Sequence, residues 1–176
     1  DGTGSTQLDG SWGVAVVGNY AYVTSNNDDS LSVINISNPA SPIEVGTIKD
    51  GVGANQLDGA TAIAVVGKYA YVASFFDDSL SIIDISNPAS PSEVGTAKDG
   101  VSGFTQLDGA DAVTVVGKYA YVTSNNDNAL SIINIATPAS PSEVGTIKDG
   151  TGATQLGAAW GVAVAGKYAY VTSNFD

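Results

Sequence analysis

The chain has 176 residues, 18 Asp plus Glu against 6 Lys, a formal net charge of −12, and neither His, Cys nor Met. Those absences exclude a Ser-His-Asp triad, a thiol nucleophile, a Cys/His zinc site and a disulfide. The acidity argues against nucleic acid and anionic membrane as partners, and no apolar run approaches the roughly 18 residues of a membrane helix, so no membrane insertion is expected.

The predicted elements are short strands. The first, Gly13 to Val17, is apolar throughout, as in a strand covered on both faces. Gly18-Asn19 then marks a two-residue hairpin, with Gly supplying a positive φ. Tyr20 to Ser25 is the second strand, rich in aromatic and β-branched residues. A polar connection, Asn26 to Asp29, leads to the third strand, Leu31 to Ile36. Ser37-Asn38-Pro39-Ala40-Ser41-Pro42 breaks it, since Pro lacks the ladder donor. The fourth strand, Ile43 to Ile48, has the mixed polarity of an outer, partly solvated strand.

This set recurs. Tyr-Ala-Tyr-Val begins at Tyr20, Tyr69, Tyr119 and Tyr168, and Asp-Gly at Asp1, Asp50, Asp99 and Asp149, so both motifs are spaced by 49, 50 and 49 residues. The extra residue falls in the loop Val101 to Thr105. The units are 1–49, 50–98, 99–148 and an incomplete 149–176. Four antiparallel strands in each tandem repeat of ~50 residues describe an all-β protein, a β-propeller with three complete blades plus half of a fourth. Because a propeller usually closes with about four to eight blades, and the chain does not begin with Met, it reads as an arc of a longer protein.

Leu80-Ser81-Ile82-Ile83-Asp84-Ile85-Ser86, preceded by Tyr69-Ala70-Tyr71-Val72-Ala73-Ser74 and followed by Asn87-Pro88-Ala89-Ser90-Pro91, resembles the LVIVD repeat family. The copies at Leu31 and Leu130 differ by Asn35 and Asn134 at the Asp84 position. The resemblance implies a β-propeller of bacterial or archaeal surface and secreted proteins, hence an extracellular or cell-surface location. It carries no catalytic residue set to transfer.

Comparison of the copies locates candidate ligand contacts. The strands barely change, but the residue before the first strand reads Trp12, Thr61, Asp111 and Trp160. The second connection reads Asn26-Asn27, Phe75-Phe76 and Asn125-Asn126. Both segments are expected on one acidic, amide-rich propeller face, with Lys68, Lys118 and Lys167 on the other, and loops on a rigid scaffold commonly carry function. The alternating Tyr20 and Tyr22, with their copies, are expected in core and inter-blade packing.

Asp1, Asp50, Asp99 and Asp149 supply hard oxygen for Ca²⁺, although EF-hand and nonapeptide calcium patterns are absent; no other cofactor is expected. Asp108 with Asp111 is the carboxylate pair a glycan- or lactone-hydrolysing enzyme would use, but most acids recur in every unit and read as turn residues. Asn35-Ile36-Ser37 matches a glycosylation sequon and is taken as chance. The expected function is a non-catalytic scaffold binding protein or glycan. A self-assembling filament or sheath unit, built from copies of itself, is the alternative.

Overall fold

The computed structural model describes residues 7–52, 55–150 and 155–175. Every element in it is a strand. β1 (Ser11–Val17), β2 (Tyr20–Ser25), β3 (Ser30–Asn35) and β4 (Ile43–Lys49) form one antiparallel sheet in chain order. β5 (Ala60–Val66), β6 (Tyr69–Ser74), β7 (Ser79–Asp84) and β8 (Ser92–Lys98) form the second. β9 (Ala110–Val116), β10 (Tyr119–Ser124), β11 (Ala129–Asn134) and β12 (Ser142–Lys148) form the third, and β13 (Ala159–Ala165) pairs with β14 (Tyr168–Ser173) in a two-stranded fourth. First strands touch in series, β1 to β5 to β9 to β13. This is β-propeller architecture, with four separate blades and no closed sheet.

Local chemistry accounts for the strand ends. Gly18, Gly67, Gly117 and Gly166 sit at φ of 59–61° in the hairpins, and the residues after them keep negative φ, the II′ pattern that matches strand twist. Asn35, Asp84 and Asn134 accept the backbone N–H two residues on, at 2.9, 2.8 and 3.0 Å, turning the chain toward the prolines.

Blades pack face to face. Tyr71, Leu80, Ile82, Leu107, Val122 and Ile133 are buried between the second and third blades. Tyr22, Leu31, Val33, Leu57, Val72 and Ile83 are buried between the first and second. Val72 and Ile83 thus face one neighbour while Tyr71 and Ile82 face the other, the period-two alternation of a sheet covered on both sides. Phe104, in the one-residue-longer loop, is also buried there, so a segment read as loop contributes a core side chain.

The interfaces carry directional hydrogen bonds. Asp29 Oδ1 accepts Gly59 N–H at 3.0 Å, Asp78 Oδ1 accepts Gly109 N–H at 2.9 Å, and Asn128 Oδ1 accepts Ala158 N–H at 2.7 Å. Each runs from one blade to the next. So does the backbone approach at Gly46 and Gly95, where an added Cβ would lie 2.2 and 2.0 Å from the carbonyl oxygens of Pro88 and Pro138.

Tyr168 and Tyr170, copies of the packed Tyr20 and Tyr22, are exposed, because no third strand covers β14 among the described residues. β1 is not covered on both faces: Val14 and Val16 are exposed, whereas β5 and β9 are largely buried or half-buried. The same apolar run is covered only where another blade lies against it.

Candidate functional site

The position that varies between units is a β-bulge. Pairing of β1 with β2 skips Trp12, that of β5 with β6 skips Thr61, that of β9 with β10 skips Asp111, and that of β13 with β14 skips Trp160. A bulge releases one residue from the ladder and re-aims its side chain, a device common beside binding sites. The chain between the second and third strands is tied to the same end of the blade, because Asn26, Phe75 and Asn125 N–H donate to Gly10, Gly59 and Gly109 carbonyls at 2.9 Å each.

These two segments build one cavity of about 210 Å³, lined by Trp12, Asn26, Thr61, Phe75, Phe76, Asp111 and Trp160. Every blade contributes its bulged residue. The Trp12 and Trp160 rings approach to 6.3 Å between centroids at 50°, and Phe75 meets Phe76 edge-on at 5.3 Å. Two larger hollows lie elsewhere, one of about 420 Å³ along β8 and one of about 430 Å³ between the end of β4 and the start of β8. Glu93 lines both and Lys98 the first, and each has copies in the other complete units.

Asp111 is the chemical centre of the cavity. It is 6% exposed, and its Oδ2 is buried without a hydrogen-bond partner. Ser74 Oγ and Gln106 Oε1 are the other such atoms among the described residues, and neither lines the cavity. Burial pushes the Asp111 carboxyl up to about 6, and a hydrogen bond with the Asn125 side chain pulls the other way. Thr61 has no such freedom, since its hydroxyl donates to the Asp111 and Ala73 carbonyls at 2.9 and 3.0 Å.

Of the ten candidate contacts, seven line the cavity and Asn125 holds Asp111 beside it. Asn27 and Asn126 are exposed and turn to Asp9 and Asp108, whose Oδ1 atoms accept their amides at 3.4 and 2.8 Å. Asp108 is therefore engaged outside the cavity that holds Asp111.

The repeated acids serve the backbone. Asp50, Asp99 and Asp149 each accept a Leu N–H, from Leu57, Leu107 and Leu156, at 3.0, 3.0 and 3.2 Å. Asp1, the remaining calcium candidate, lies outside the described residues, and among those described no three acids group as a metal site. Asp77 and Asp127 pair with Lys98 and Lys148 at 3.0 and 3.1 Å, so the acidic face also carries lysines that the sequence reading did not place there. Lys68 on the other face pairs with Asp84 at 2.9 Å.

Sequence reasoning missed a hydroxyl cluster. Ser25, Ser30 and Ser32 all donate to the Gln7 carbonyl, at 3.0, 3.3 and 3.1 Å, and Ser79 and Ser81 do the same to Gln56. Recurrence of Ser25 and Ser32 at fixed offsets in the three complete units, as Ser74 and Ser81 and as Ser124 and Ser131, was the available signal.

Comparison with solved structures supports the fold. A protein of unknown function from Desulfotomaculum acetoxidans is 15% identical with a TM-score of 0.64, covering 80% of this chain and 43% of that one. Kuenenia stuttgartiensis hydrazine synthase is 20% identical with a TM-score of 0.66, covering 92% and 40%. The computationally designed Ika4 protein is 8% identical with a TM-score of 0.68, covering 96% and 94%. The chain thus spans about two fifths of the two natural proteins. No curated protein matches it in sequence. The LVIVD repeat profile matches residues 10–50, 59–99, 109–149 and 156–175, and the chain belongs to the LVIVD repeat family.

Proposed function

We propose that the chain is a non-catalytic binding module of an extracellular or cell-surface protein, and that its protein or glycan ligand is gripped at the cavity where the blades converge. The observation that carries this is the placement of all four unit-specific bulge residues in one cavity, on a framework otherwise repeated nearly unchanged. Aromatic walls supply large contact area at low entropic cost, and the Asp111 and Asn26 side chains supply the polar groups that orient a ligand. Asp111 is the one carboxylate lining the cavity, and the carboxylate pair of glycoside hydrolysis has no second member there, which favours the binding reading.

Glycan and protein arrays probed with the chain and with a Trp12→Ala/Trp160→Ala variant test the reading. A ligand retained by the parent and lost by the folded variant supports it. Silence on every array, or hits unchanged in the variant, ends it.

A specific observation favours a second reading, association between copies. Val14 and Val16 of β1 and Tyr168 and Tyr170 of β14 are exposed together with Trp12. Light scattering decides: a monomer at ~100 μM removes this reading.

A further inference from the structure

The cavity has a definite chemical preference. Its walls are two indoles and two phenyl rings, whose faces carry partial negative charge. Its one charge is Asp111, and the surrounding elements β1, β5, β13 and the β2–β3 and β6–β7 loops contribute Trp12, Thr61, Trp160, Asn26, Phe75 and Phe76, with no second charged group. At ~30 Å³ per water, 210 Å³ holds about seven waters, the bulk of a small head group.

We infer that this cavity binds a small organic ammonium group, its alkyl or methyl surface against Trp12, Trp160 and Phe75 and its charge beside the Asp111 carboxylate. The inference rests on the binding-module reading and names the group that the module grips.

Rival chemistries fit less well. A bare sugar presents several hydroxyls, but the Thr61 hydroxyl is already donated, leaving Asp111 and Asn26 as polar partners and most ligand groups unmatched. Calcium wants six to eight oxygens, and one carboxylate among aromatic rings does not provide them. An anion would meet Asp111 head-on. A cation gains from both features, the ring quadrupoles and the carboxylate. The net charge of −12 adds attraction at a distance.

The chain contains two tryptophans, Trp12 and Trp160, and both line the cavity, so tryptophan emission, excited selectively over the eight tyrosines, reports on this site. Choline is titrated against its neutral isostere 3,3-dimethylbutanol, on the parent and on Asp111→Asn. Saturable quenching by choline, at least tenfold weaker with the isostere and with Asp111→Asn, is the expected result. A trimethyl-lysine peptide forms a further arm: binding like choline supports a head group carried on a protein, and failure with choline retained overturns a protein ligand for the module while the ammonium assignment stands. Choline affinity is expected to rise between pH 5 and 7, as Asp111 ionises, with isostere affinity flat. Equal affinity for choline and isostere overturns the ammonium assignment and leaves the binding module standing. No response to choline at 10 mM overturns the assignment as well, and the binding module is then judged by the arrays.

Discussion

β10 and β14 have the same six residues, Tyr-Ala-Tyr-Val-Thr-Ser, yet one is mostly buried and the other mostly exposed. β10 lies between β9 and β11 in a blade packed against its neighbour, whereas β14 pairs only with β13 among the described residues. Identical local propensity therefore produces two environments, and burial is a property of the stack rather than of the hexapeptide. The chain contains its own controls for what packing contributes.

The largest expected effect uses glycines that the repeat makes equivalent. Gly95→Ala drives a Cβ to within 2.0 Å of the Pro138 carbonyl oxygen, while Gly145 has open space around it. Gly95→Ala should cost about 3 kcal/mol or more and Gly145→Ala less than about 0.5, measured by urea unfolding. Equal costs would break the comparison, because they would make the glycine a requirement of the strand itself.

Deleting methyl groups sharpens it next. Val122 is 0% exposed, so Val122→Ala should cost about 2 kcal/mol; the equivalent Val171→Ala should cost under about 0.7. Thermal and chemical unfolding of the two variants measure the difference directly.

Asp111 extends the comparison to charge. Its carboxyl is raised to about 6 in the fold against 3.8 ordinarily, so between those values the folded protein holds more protons than the unfolded chain. Stability attributable to this group is greatest below about pH 4 and falls as pH rises through 6. Asp111→Asn removes that penalty and should stabilise the protein by about 1–3 kcal/mol at pH 8, with little change at pH 4. A melting-temperature gain of equal size at both pH values would exclude the buried charge as its cause.

A smaller effect concerns the stitches between blades. Asp78→Ala should cost about 1–2 kcal/mol by orphaning Gly109 N–H, while Asp78→Asn should be neutral, since Asn128 already makes the same bond to Ala158. Last, Ala158 stands at φ 50° where the other units have glycine at 65–67°, and Ala158→Gly should add about 0.5–1 kcal/mol. Differential scanning calorimetry resolves both.

Strand positions were legible because they depend on local chemistry: Gly-polar hairpins, proline breaks and β-rich runs recur with the unit. The second strand, Tyr20–Ser25, was read to the residue, and the others within about two. The bulges were not legible, because they are set by pairing register between two strands. Copy-to-copy change nevertheless marked the same positions, from Trp12 to Trp160. Burial of β1 was misread, since an apolar run does not say whether anything covers it. The buried, unpartnered Oδ2 of Asp111 was also invisible, because the surroundings of a carboxylate depend on groups distant in sequence.

The stitches from Asp29, Asp78 and Asn128 all run from one blade to its successor, as do the glycine–proline approaches. Such head-to-tail contacts have a polarity, like the coupling between carriages of a train. Copying one unit in the gene would reproduce a working junction at both of its ends without any new side chain. The grammar of the repeat thus permits growth by duplication, and leaves the bulged residue and the loop beside it as letters each copy is free to change.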